Sequence, residues 1–323
     1  MIYIAETCQN HNGNFDTLKK MVYEAVNSGA THCKIQGLYS DELTRRSIFE
    51  ESDRAIKASV KIRPYEIEYR RLKELDLSQT QERDFVKLCE KEGIIPMITV
   101  FTHEGAKRAK DSGFKSIKIA SYDCSSYPLI EEVSSFAEEM VISTGAMTEG
   151  EIKETLRIVI SSNLSQKNVH FLHCVSEYPT RLERLNLNRI KSLKKFTHSV
   201  GYSDHFANEE SRVNLKIDRQ MPAKVALYFG ASVIEQHFTI LPKNETKDGP
   251  ISVTTTDIKN LMTFIIEDEE WFDVVSRDFS EIFGDGQIDP SMEEWQNRKY
   301  YRGRVASWKE GLQIFSWENW HEG

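Results

Sequence analysis

A TIM barrel, a closed ring of eight parallel strands surrounded by helices, is the fold that this 323-residue sequence predicts. Short segments rich in β-branched and apolar residues recur along the chain, and amphipathic segments separate them, which is typical of a parallel sheet covered by helices. The apolar segments number eight, the number of strands that closes such a barrel. The predicted strands are residues 2–7, 31–36, 94–101, 116–121, 140–144, 169–174, 199–204 and 232–238.

Four of the segments between these strands show the apolar spacing of three to four residues that is typical of helices. They are FDTLKKMVYEAVNSG (15–29), HEGAKRAKDSG (103–113), TEGEIKETLRIVISS (148–162) and PAKVALYFG (222–230). A doubly wound open sheet is the alternative fold. The first strand is followed by TCQNHNGN (7–14), which contains neither GxGxxG nor GxxxxGK[ST], so the sequence favours the barrel.

Two stretches exceed what a bare barrel needs. Residues 37–80 form a long, charged insertion after strand two, and an insertion at the carboxyl end of a strand is expected to cover the mouth of the barrel as a lid. Residues 207–221 lengthen the connection after strand seven in the same way. We therefore expect a barrel domain over residues 1–265 and a short helical, aromatic C-terminal extension over residues 266–323.

Composition excludes several classes of protein. A net charge of -8 argues against a binder of nucleic acid or of anionic membranes, although a local pocket can still be basic enough for a small anionic substrate. The five cysteines are an odd number without a CxxC pair, which is typical of a reducing cytoplasm. Since no segment reaches the ~20 apolar residues that cross a bilayer, we expect a cytoplasmic protein.

Polar residues occupy the carboxyl ends of all eight predicted strands, where TIM barrels carry their catalytic groups. Each has an ordinary structural explanation: a lysine extends to solvent, a serine or threonine makes a turn, a histidine is hydrogen-bonded in the core. Their convergence on one mouth favours a functional site. The candidates are Glu6, Lys34, Gln36, Thr99, Lys118, Ser121, Ser143, Thr144, His173, Ser203, His205, Glu235 and His237.

These candidates divide into two chemical groups. Lysines and hydroxyls, among them Lys34 and Lys118, suit the phosphate and carboxylate groups of an anionic substrate. His205 and His237 follow neighbouring strands, and Glu6, Asp204 and Glu235 supply carboxylates nearby, so this group suits a divalent metal with open positions. Mn²⁺, Co²⁺ and Mg²⁺ all accept such mixed ligands.

Seven motifs together resemble the sialic acid synthase family, over about residues 1–265. They are AExxxNHNG (5–13), KIQ (34–36), KIAS (118–121), STGAM (143–147), LHCVSEYPT (172–180), GYSDH (201–205) and IEQHFT (234–239). Members of this family condense phosphoenolpyruvate with an amino-sugar aldehyde to give nine-carbon 2-keto-3-deoxy acids. The resemblance implies the same fold and the same type of reaction here.

The resemblance also implies roles for individual residues. His205 and His237 would bind the metal, with Mn²⁺ expected first and Mg²⁺ or Co²⁺ as alternatives. Phosphoenolpyruvate would contact Lys34, Thr99, Lys118, Ser121, Ser143 and Ser203, and the sugar would contact Glu6, Gln36, Tyr178 and Glu235. Glu6, Glu235 and Lys118 are the residues expected to act in catalysis.

Three departures from the family pattern leave the acceptor open. Cys8 stands where the family usually has glycine, and Ile251 or Ser252 stands where it usually has an acid, although Asp248 is close in sequence. We also expect the family's C-terminal antifreeze-like domain to be missing, since RGRVASWKEGLQIF (302–315) resembles only its opening strand. The acceptor is therefore open between N-acetylmannosamine, a legionaminic- or pseudaminic-type precursor and another aldose.

Two alternatives to this function remain at this stage. A phosphorylated acceptor would need further basic groups at the mouth, for which Arg45, Arg46, Arg63 and Arg181 are candidates. A sugar-binding barrel without turnover is the second alternative. For partners we expect only the two small substrates, no nucleic acid and no membrane. A homodimer is possible through the aromatic tail of Trp308, Phe315, Trp317 and Trp320.

Overall fold

Eight parallel strands form a closed barrel in which the first strand pairs with the last. The computed structural model of the chain describes residues 1–50, 62–162, 164–207, 218–264, 269–309 and 312–314. The barrel confirms the predicted fold, with strand ends shifted by at most two residues. Its strands are β1 (Ile2–Cys8), β2 (His32–Gly37), β3 (Ile95–Val100), β4 (Ser116–Ile119), β5 (Glu139–Ser143), β6 (Val169–Cys174), β7 (Val200–Asp204) and β8 (Val233–His237).

Helices follow the strands and cover the outside of the barrel. Local sequence signals set their ends: Asn14 caps the first helix by accepting from Thr17 N, and Gly29 ends it in the left-handed conformation at φ 87°. The described helices are α1 (Phe15–Ser28), α2 (Tyr65–Leu75), α3 (Gln79–Glu92), α4 (His103–Ser112), α5 (Tyr127–Ser134), α6 (Glu149–Ile160), α7 (Arg189–Leu193), α8 (Met221–Tyr228), α9 (Thr255–Met262), α10 (Glu269–Asp278) and α11 (Met292–Tyr301). Within those ranges, none has the length and apolar character needed to cross a bilayer.

The inside of the barrel changes from apolar to polar along its axis. Its lower layer is a buried cluster of Ile4, Met97, Val141, Leu172 and Val233. Two residues further along β1 and β8, on the same inward face, Ile4 is followed by Glu6 and Val233 by Glu235. Because the apolar layer closes the barrel from below, polar groups at the carboxyl ends face a cavity at the mouth.

The predicted insertion after β2 is present. It contains α2, and Asp76 at its end accepts from the backbone N (3.0 Å) and the Oγ (2.6 Å) of Ser40 near its beginning. Leu38, Leu43 and Leu72 form a small apolar cluster beside the mouth. Residues 51–61 of this insertion, and 208–217 of the predicted lengthening after β7, lie outside the described residues.

The segment 292–306 returns to the mouth of the barrel. Glu294 Oε1 accepts from Ala146 N and Ser176 N, each at 3.2 Å, in the loops after β5 and β6. The Tyr301 ring stacks on Tyr122, with 4.4 Å between ring centroids. A two-stranded hairpin follows, formed by β9 (Ser307–Lys309) and β10 (Leu312–Ile314). This C-terminal segment therefore forms part of the wall around the mouth, whereas residues 315–323, with three of the four aromatic residues suggested for a dimer, lie outside the described residues.

Candidate active site

One cavity of about 410 Å³ opens at the carboxyl ends of the strands. It brings together every residue to which the resemblance to the sialic acid synthase family assigned a metal-binding, substrate-binding or catalytic role. These are Glu6, Lys34, Gln36, Thr99, Lys118, Ser121, Ser143, Tyr178, Ser203, His205, Glu235 and His237. Most of these residues lie at strand ends, and they meet in one cavity because parallel strands in a barrel all point their carboxyl ends the same way.

Two buried lysines share carboxylates at the floor of this cavity. Lys34 Nζ lies 2.6 Å from Glu6 Oε2 and 2.8 Å from Glu235 Oε2, and Lys118 Nζ lies 2.7 Å from Glu235 Oε1. Burial alone lowers the pKa of a lysine, but Glu235 and Glu6 more than offset this for Lys34, whose pKa is raised. For Lys118, burial dominates and the pKa is lowered. Burial likewise opposes ionisation of Glu235, but Lys118 and Lys34 prevail and lower its pKa.

Hydroxyl groups surround the lysines. Ser203 Oγ donates to Glu235 Oε1 at 2.8 Å, and Ser121 Oγ accepts from Gly145 N at 3.2 Å. The buried Thr99 Oγ1 and Ser143 Oγ have no hydrogen-bond partner in the described structure. Buried polar groups are normally paired, so two free hydroxyls beside two ammonium groups form a set of donors suited to an anion.

The two predicted metal-binding histidines are neighbours. Their ring centroids lie 5.2 Å apart, and the Tyr178 ring packs edge-on against His205 at 4.5 Å. Burial, followed by the neighbouring His237, lowers the pKa of His205 to about 3, so this imidazole is neutral at physiological pH. A neutral imidazole is the form that binds metal ions.

Three candidates from the strand ends do not face the cavity. His173 Nε2 bonds to Leu185 O at 2.7 Å, and its ring stacks on Tyr202, so it belongs to the packing behind β6. Thr144 Oγ1 donates to Leu172 O at 3.0 Å. Asp204, predicted to supply a carboxylate near the metal, instead accepts from Arg219 Nη1 at 2.5 Å, because it points outward from β7 while Ser203 points inward. The interpretation of Asp204 as a group at the mouth is wrong, whereas His173 is the hydrogen-bonded core histidine of the ordinary structural explanation.

A second possible metal-binding group lies beside His237. Cys8, His237 and Asp248 each offer one ligand atom, and these atoms all lie within 4.8 Å of one another. Cys8 Sγ donates to Asp248 Oδ2 at 2.9 Å. The buried Nδ1 of His237 has no partner in the described structure. Thiol, imidazole and carboxylate are ligands of divalent metals, so the residues at this end of the cavity fit such an ion.

The NHNG sequence positions this group. Asn10 Nδ2 donates to Phe238 O at 2.9 Å and to Ser252 Oγ at 3.0 Å, and Ser252 Oγ donates to Asp248 O at 2.7 Å. The loop after β1, which carries Cys8, is thereby tied to the loop after β8, which carries Asp248. Asn10 itself does not line the cavity.

A basic rim surrounds the mouth; it consists of Arg63, Arg71, Lys247 and Arg304, which all line the cavity. The buried carboxylate of Glu68 pairs with the three arginines, at 2.8 Å from Arg71 Nη2 and 3.3 Å from Arg63 Nη1. Desolvation at the mouth and the three arginine charges lower the pKa of Lys247 to about 8. Four cations outnumber the nearby carboxylates of Glu68 and Asp248, so this rim is electropositive.

Sequence reasoning found only one member of the basic rim. Of the four arginines suggested for a phosphate, Arg63 lines the cavity, whereas Arg45 pairs with Glu66 on the surface and Arg46 donates to backbone carbonyls such as Tyr300 O. Arg181 is exposed and does not line the cavity. The missed residues come from α2, the loop after β8 and the C-terminal segment, and no local pattern joins them.

The chain is similar in sequence to a known family of sugar acid synthases. The NeuB family profile matches residues 21–273. The chain is 27% identical to the N,N'-diacetyllegionaminic acid synthase of Campylobacter jejuni, over 96% of this chain and 85% of that protein. It is 28% identical to the human N-acetylneuraminate-9-phosphate synthase, over 73% of this chain and 61% of that protein.

Among solved structures, the N-acetylneuraminic acid synthetase of Leptospira borgpetersenii superposes with a TM-score of 0.65. It shares 23% identity and covers 93% of this chain and 90% of its own, which supports the fold. The matched profile includes seven of the eight barrel strands, from β2 onward. The chain belongs to the NeuB family and is a phosphoenolpyruvate-dependent sugar acid synthase.

Proposed function

We propose that this synthase condenses phosphoenolpyruvate with an amino-sugar aldehyde resembling N-acetylmannosamine. The products would be a nine-carbon 2-keto-3-deoxy sugar acid and inorganic phosphate. The observation that carries the proposal is the charge of the cavity. Among the described residues, six basic side chains and three acidic ones line it, on a protein whose net charge is -8. Even with Glu68 paired to three of the arginines, the positive charges outnumber the negative ones, which suits a substrate that carries both a phosphate and a carboxylate.

The lysines and hydroxyls at the floor have the chemistry to hold phosphoenolpyruvate. Lys34 and Lys118 would bind its charged groups, and the free hydroxyls of Thr99 and Ser143 would complete the hydrogen bonds. Fixing the enol phosphate in this way would present its C3 carbon to the aldehyde carbon of the sugar. The new bond would form between these two carbons while the lysines balance the charge.

Glu6 and Glu235 are suited to proton transfer and sugar binding. Both lie within ion-pair distance of Lys34. A substrate anion that bound the Lys34 ammonium would displace one of these carboxylates and leave it free to act. The freed carboxylate could then orient the water that adds at C2. Phosphate would leave by cleavage of the bond between C2 and the bridging oxygen. Gln36 and Tyr178, which line the cavity, would contact sugar hydroxyls.

A divalent metal fits the histidine end of the cavity. His205 and His237 would hold it, with Mn²⁺ the first expectation and Mg²⁺ or Co²⁺ as alternatives. When bound, the metal would supply Lewis-acid polarisation of the aldehyde oxygen. Neutral His205 and the unpartnered Nδ1 of His237 support a role for these imidazoles as ligands.

The proposal is tested by phosphate release from phosphoenolpyruvate with Mn²⁺ and a panel of aldoses, with mass spectrometry of each product. We expect release only with an acceptor, a nine-carbon keto acid as product, and loss of activity in excess chelator. With ¹⁸O in the bridging oxygen of phosphoenolpyruvate, the label should appear in phosphate. Full activity in chelator, or label retained in the sugar acid, would contradict the proposed chemistry.

A phosphorylated acceptor is the second candidate, and the basic rim favours it. Arg63, Arg71, Lys247 and Arg304 stand at the mouth, where the far end of a sugar bound below would emerge. A phosphate there would accept charge-assisted hydrogen bonds from guanidinium groups. The similarity to the human synthase, whose name specifies a 9-phosphate product, supports the same candidate.

Comparison of N-acetylmannosamine with its 6-phosphate, in the wild type and in Arg304→Ala, separates the two candidates. If the phosphorylated sugar is the acceptor, its kcat/KM should exceed that of the free sugar. Arg304→Ala should then lower kcat/KM about tenfold for the phosphorylated sugar alone, the effect of losing one hydrogen bond to a charged group. Equal losses for both sugars would assign Arg304 a structural role.

A further inference from the structure

We propose that Cys8 and Asp248 join His237, one of the two histidines expected to hold the divalent cation, to form a thiolate–imidazole–carboxylate ligand set. The set would make the site selective for borderline-soft cations such as Co²⁺, Fe²⁺ or Zn²⁺ over Mg²⁺. The inference rests on the proposed function only in that the metal serves the same reaction. Binding of the metal itself can be tested without turnover.

The three side chains already converge on one point. Their ligand atoms lie within 4.8 Å of one another, and Cys8 Sγ is 2.9 Å from Asp248 Oδ2. Atoms bound to one cation at about 2.0–2.3 Å are roughly 3–4 Å apart. Small side-chain rotations would therefore convert the present hydrogen-bonded group into a coordination shell.

An unsatisfied histidine gives an independent indication of a ligand. His237 is 8% exposed, and its Nδ1 has no hydrogen-bond partner among the described residues. The β1–β8 register places Glu6 opposite His237, so the end of β1 lies beside the histidine. A buried imidazole nitrogen without a partner is rare, and binding a cation would satisfy it.

The backbone at Cys8 would be easier for glycine than for cysteine. Cys8 has a φ of 46°, in the left-handed region, and the β1–β2 register shifts between Glu6 and Cys8. A side chain in this region strains the backbone, and glycine avoids this strain. The cysteine therefore adds no conformational advantage at this position, whereas its sulfur faces two other metal ligands.

The thiol determines which cations the site accepts. In the structure, the Cys8 thiol donates its proton to Asp248 Oδ2 at 2.9 Å. Coordination would form a sulfur–metal bond and release that proton to solvent. Thiolate ligands favour Co²⁺, Fe²⁺ and Zn²⁺, whereas Mg²⁺ prefers oxygen ligands alone.

A second thiol provides the matched control. Cys174 also lines the cavity, with its Sγ 3.6 Å from Nδ1 of His205. If the metal were centred on His205, Cys174 would be the sulfur nearest to it. The two cysteines thus report on two different positions of the cation within one cavity.

The experiment uses the full chain, stripped of metal with a chelator and titrated with Co²⁺. The wild type and Cys174→Ser should show a thiolate-to-cobalt charge-transfer band in the near ultraviolet. Cys8→Gly, which removes the sulfur and suits the backbone, should lack this band and bind Co²⁺ at least about tenfold more weakly. Asp248→Asn should keep the band and also bind more weakly. Thermal unfolding without metal checks that each variant is folded.

Three outcomes would overturn the inference: Co²⁺ binding to the wild type without the band, an unchanged band in Cys8→Gly, or loss of the band in Cys174→Ser. Competition between Mg²⁺ and Co²⁺ adds a further check. Cys8→Gly should lower the ratio of the Co²⁺ affinity to the Mg²⁺ affinity about tenfold or more. Failure of the proposed function would be separate. It would appear as absent phosphate release while the cobalt spectra remain as expected.

Discussion

Lys118 on β4 and Glu235 on β8 form an ion pair across the barrel, with 2.7 Å between Nζ and Oε1. The strands lie on opposite sides of the ring, so this contact connects the two halves of the cavity floor. Lys34 reaches the same carboxylate at 2.8 Å. Glu235 therefore bridges both buried ammonium groups, and Glu6 supplies the second carboxylate through Lys34, until an anionic substrate competes for the lysines.

Removal of the shared carboxylate should destabilise the protein. Glu235→Gln leaves Lys118, which is 3% exposed, without its carboxylate partner. We expect a loss of about 3–5 kcal/mol in the free energy of unfolding, measured by urea denaturation at pH 7. The loss should become smaller as the pH rises. Burial lowers the pKa of Lys118 in the folded variant. Above that pKa the folded variant has released a proton that the unfolded chain still binds, so its free energy of unfolding increases with pH.

Glu66→Gln is the control for this loss, since Glu66 pairs with Arg45 on the surface with both side chains about 60% exposed. This exposed pair should contribute less than about 1 kcal/mol. Equal effects of the two substitutions would contradict the importance of the buried cluster.

The free hydroxyls should matter for substrate rather than for folding. Thr99 Oγ1 and Ser143 Oγ have no partner in the described structure, so Thr99→Val and Ser143→Ala should change the free energy of unfolding by less than about 1 kcal/mol. Each should raise KM for phosphoenolpyruvate about tenfold or more, because a hydrogen bond to a charged group contributes about 1.5–3 kcal/mol.

Thr144→Val is the matched control, because Thr144 Oγ1 already donates to Leu172 O and does not line the cavity. It should cost about 1 kcal/mol of stability and leave KM unchanged. If Ser143→Ala behaved like this control, the hydroxyls would not hold phosphoenolpyruvate.

Glu42 should make the folded state less stable as the pH rises. Burial raises its pKa to about 8, although Thr102 Oγ1 donates to Oε1 at 2.8 Å, and Oε2 has no partner in the described structure. In the unfolded chain, Glu42 has an ordinary pKa of about 4.3 and releases its proton above this pH, whereas the folded protein keeps the proton. The free energy of unfolding therefore falls up to pH 8, by up to about 1.4 kcal/mol per pH unit.

Glu42→Gln should remove this dependence, and its advantage over the wild type should grow between pH 5 and pH 8 in chemical denaturation. Glu90→Gln, at an exposed position of α3, should leave the pH profile as it is in the wild type. Parallel profiles for Glu42→Gln and the wild type would show that Glu42 ionises normally.

Lys247 should make anion binding at the basic rim depend on pH. Its pKa of about 8 means that the positive charge is lost as the pH rises through this value. Sulfate, whose own charge is constant in this range, should therefore bind more weakly at pH 9 than at pH 7, as measured by calorimetry. Lys247→Met should bind sulfate more weakly at pH 7 and lose most of the dependence. Lys243→Met, an exposed neighbour outside the cavity, should retain it.

Much of the site could be predicted because strand geometry is local. The position of each predicted strand shows which residues lie at its carboxyl end, such as Glu6, Lys34 and Glu235. In a closed barrel these ends all lie around the same mouth. The same rule explains the errors. Leu172 faces the barrel interior, so His173 must face outward and Cys174 inward, and strict alternation along β6 would have given that result.

The sequence by itself determined the barrel, the family and the residues at the floor of the cavity, because these depend on periodicity and on motifs within single strands. Only the tertiary structure decided which distant groups complete the mouth. Cys8 meets Asp248 across 240 positions of the chain, and Arg304 reaches the rim from the C-terminal segment. Such contacts depend on how loops and the C-terminal segment pack against the finished barrel, which no pattern of neighbouring residues encodes.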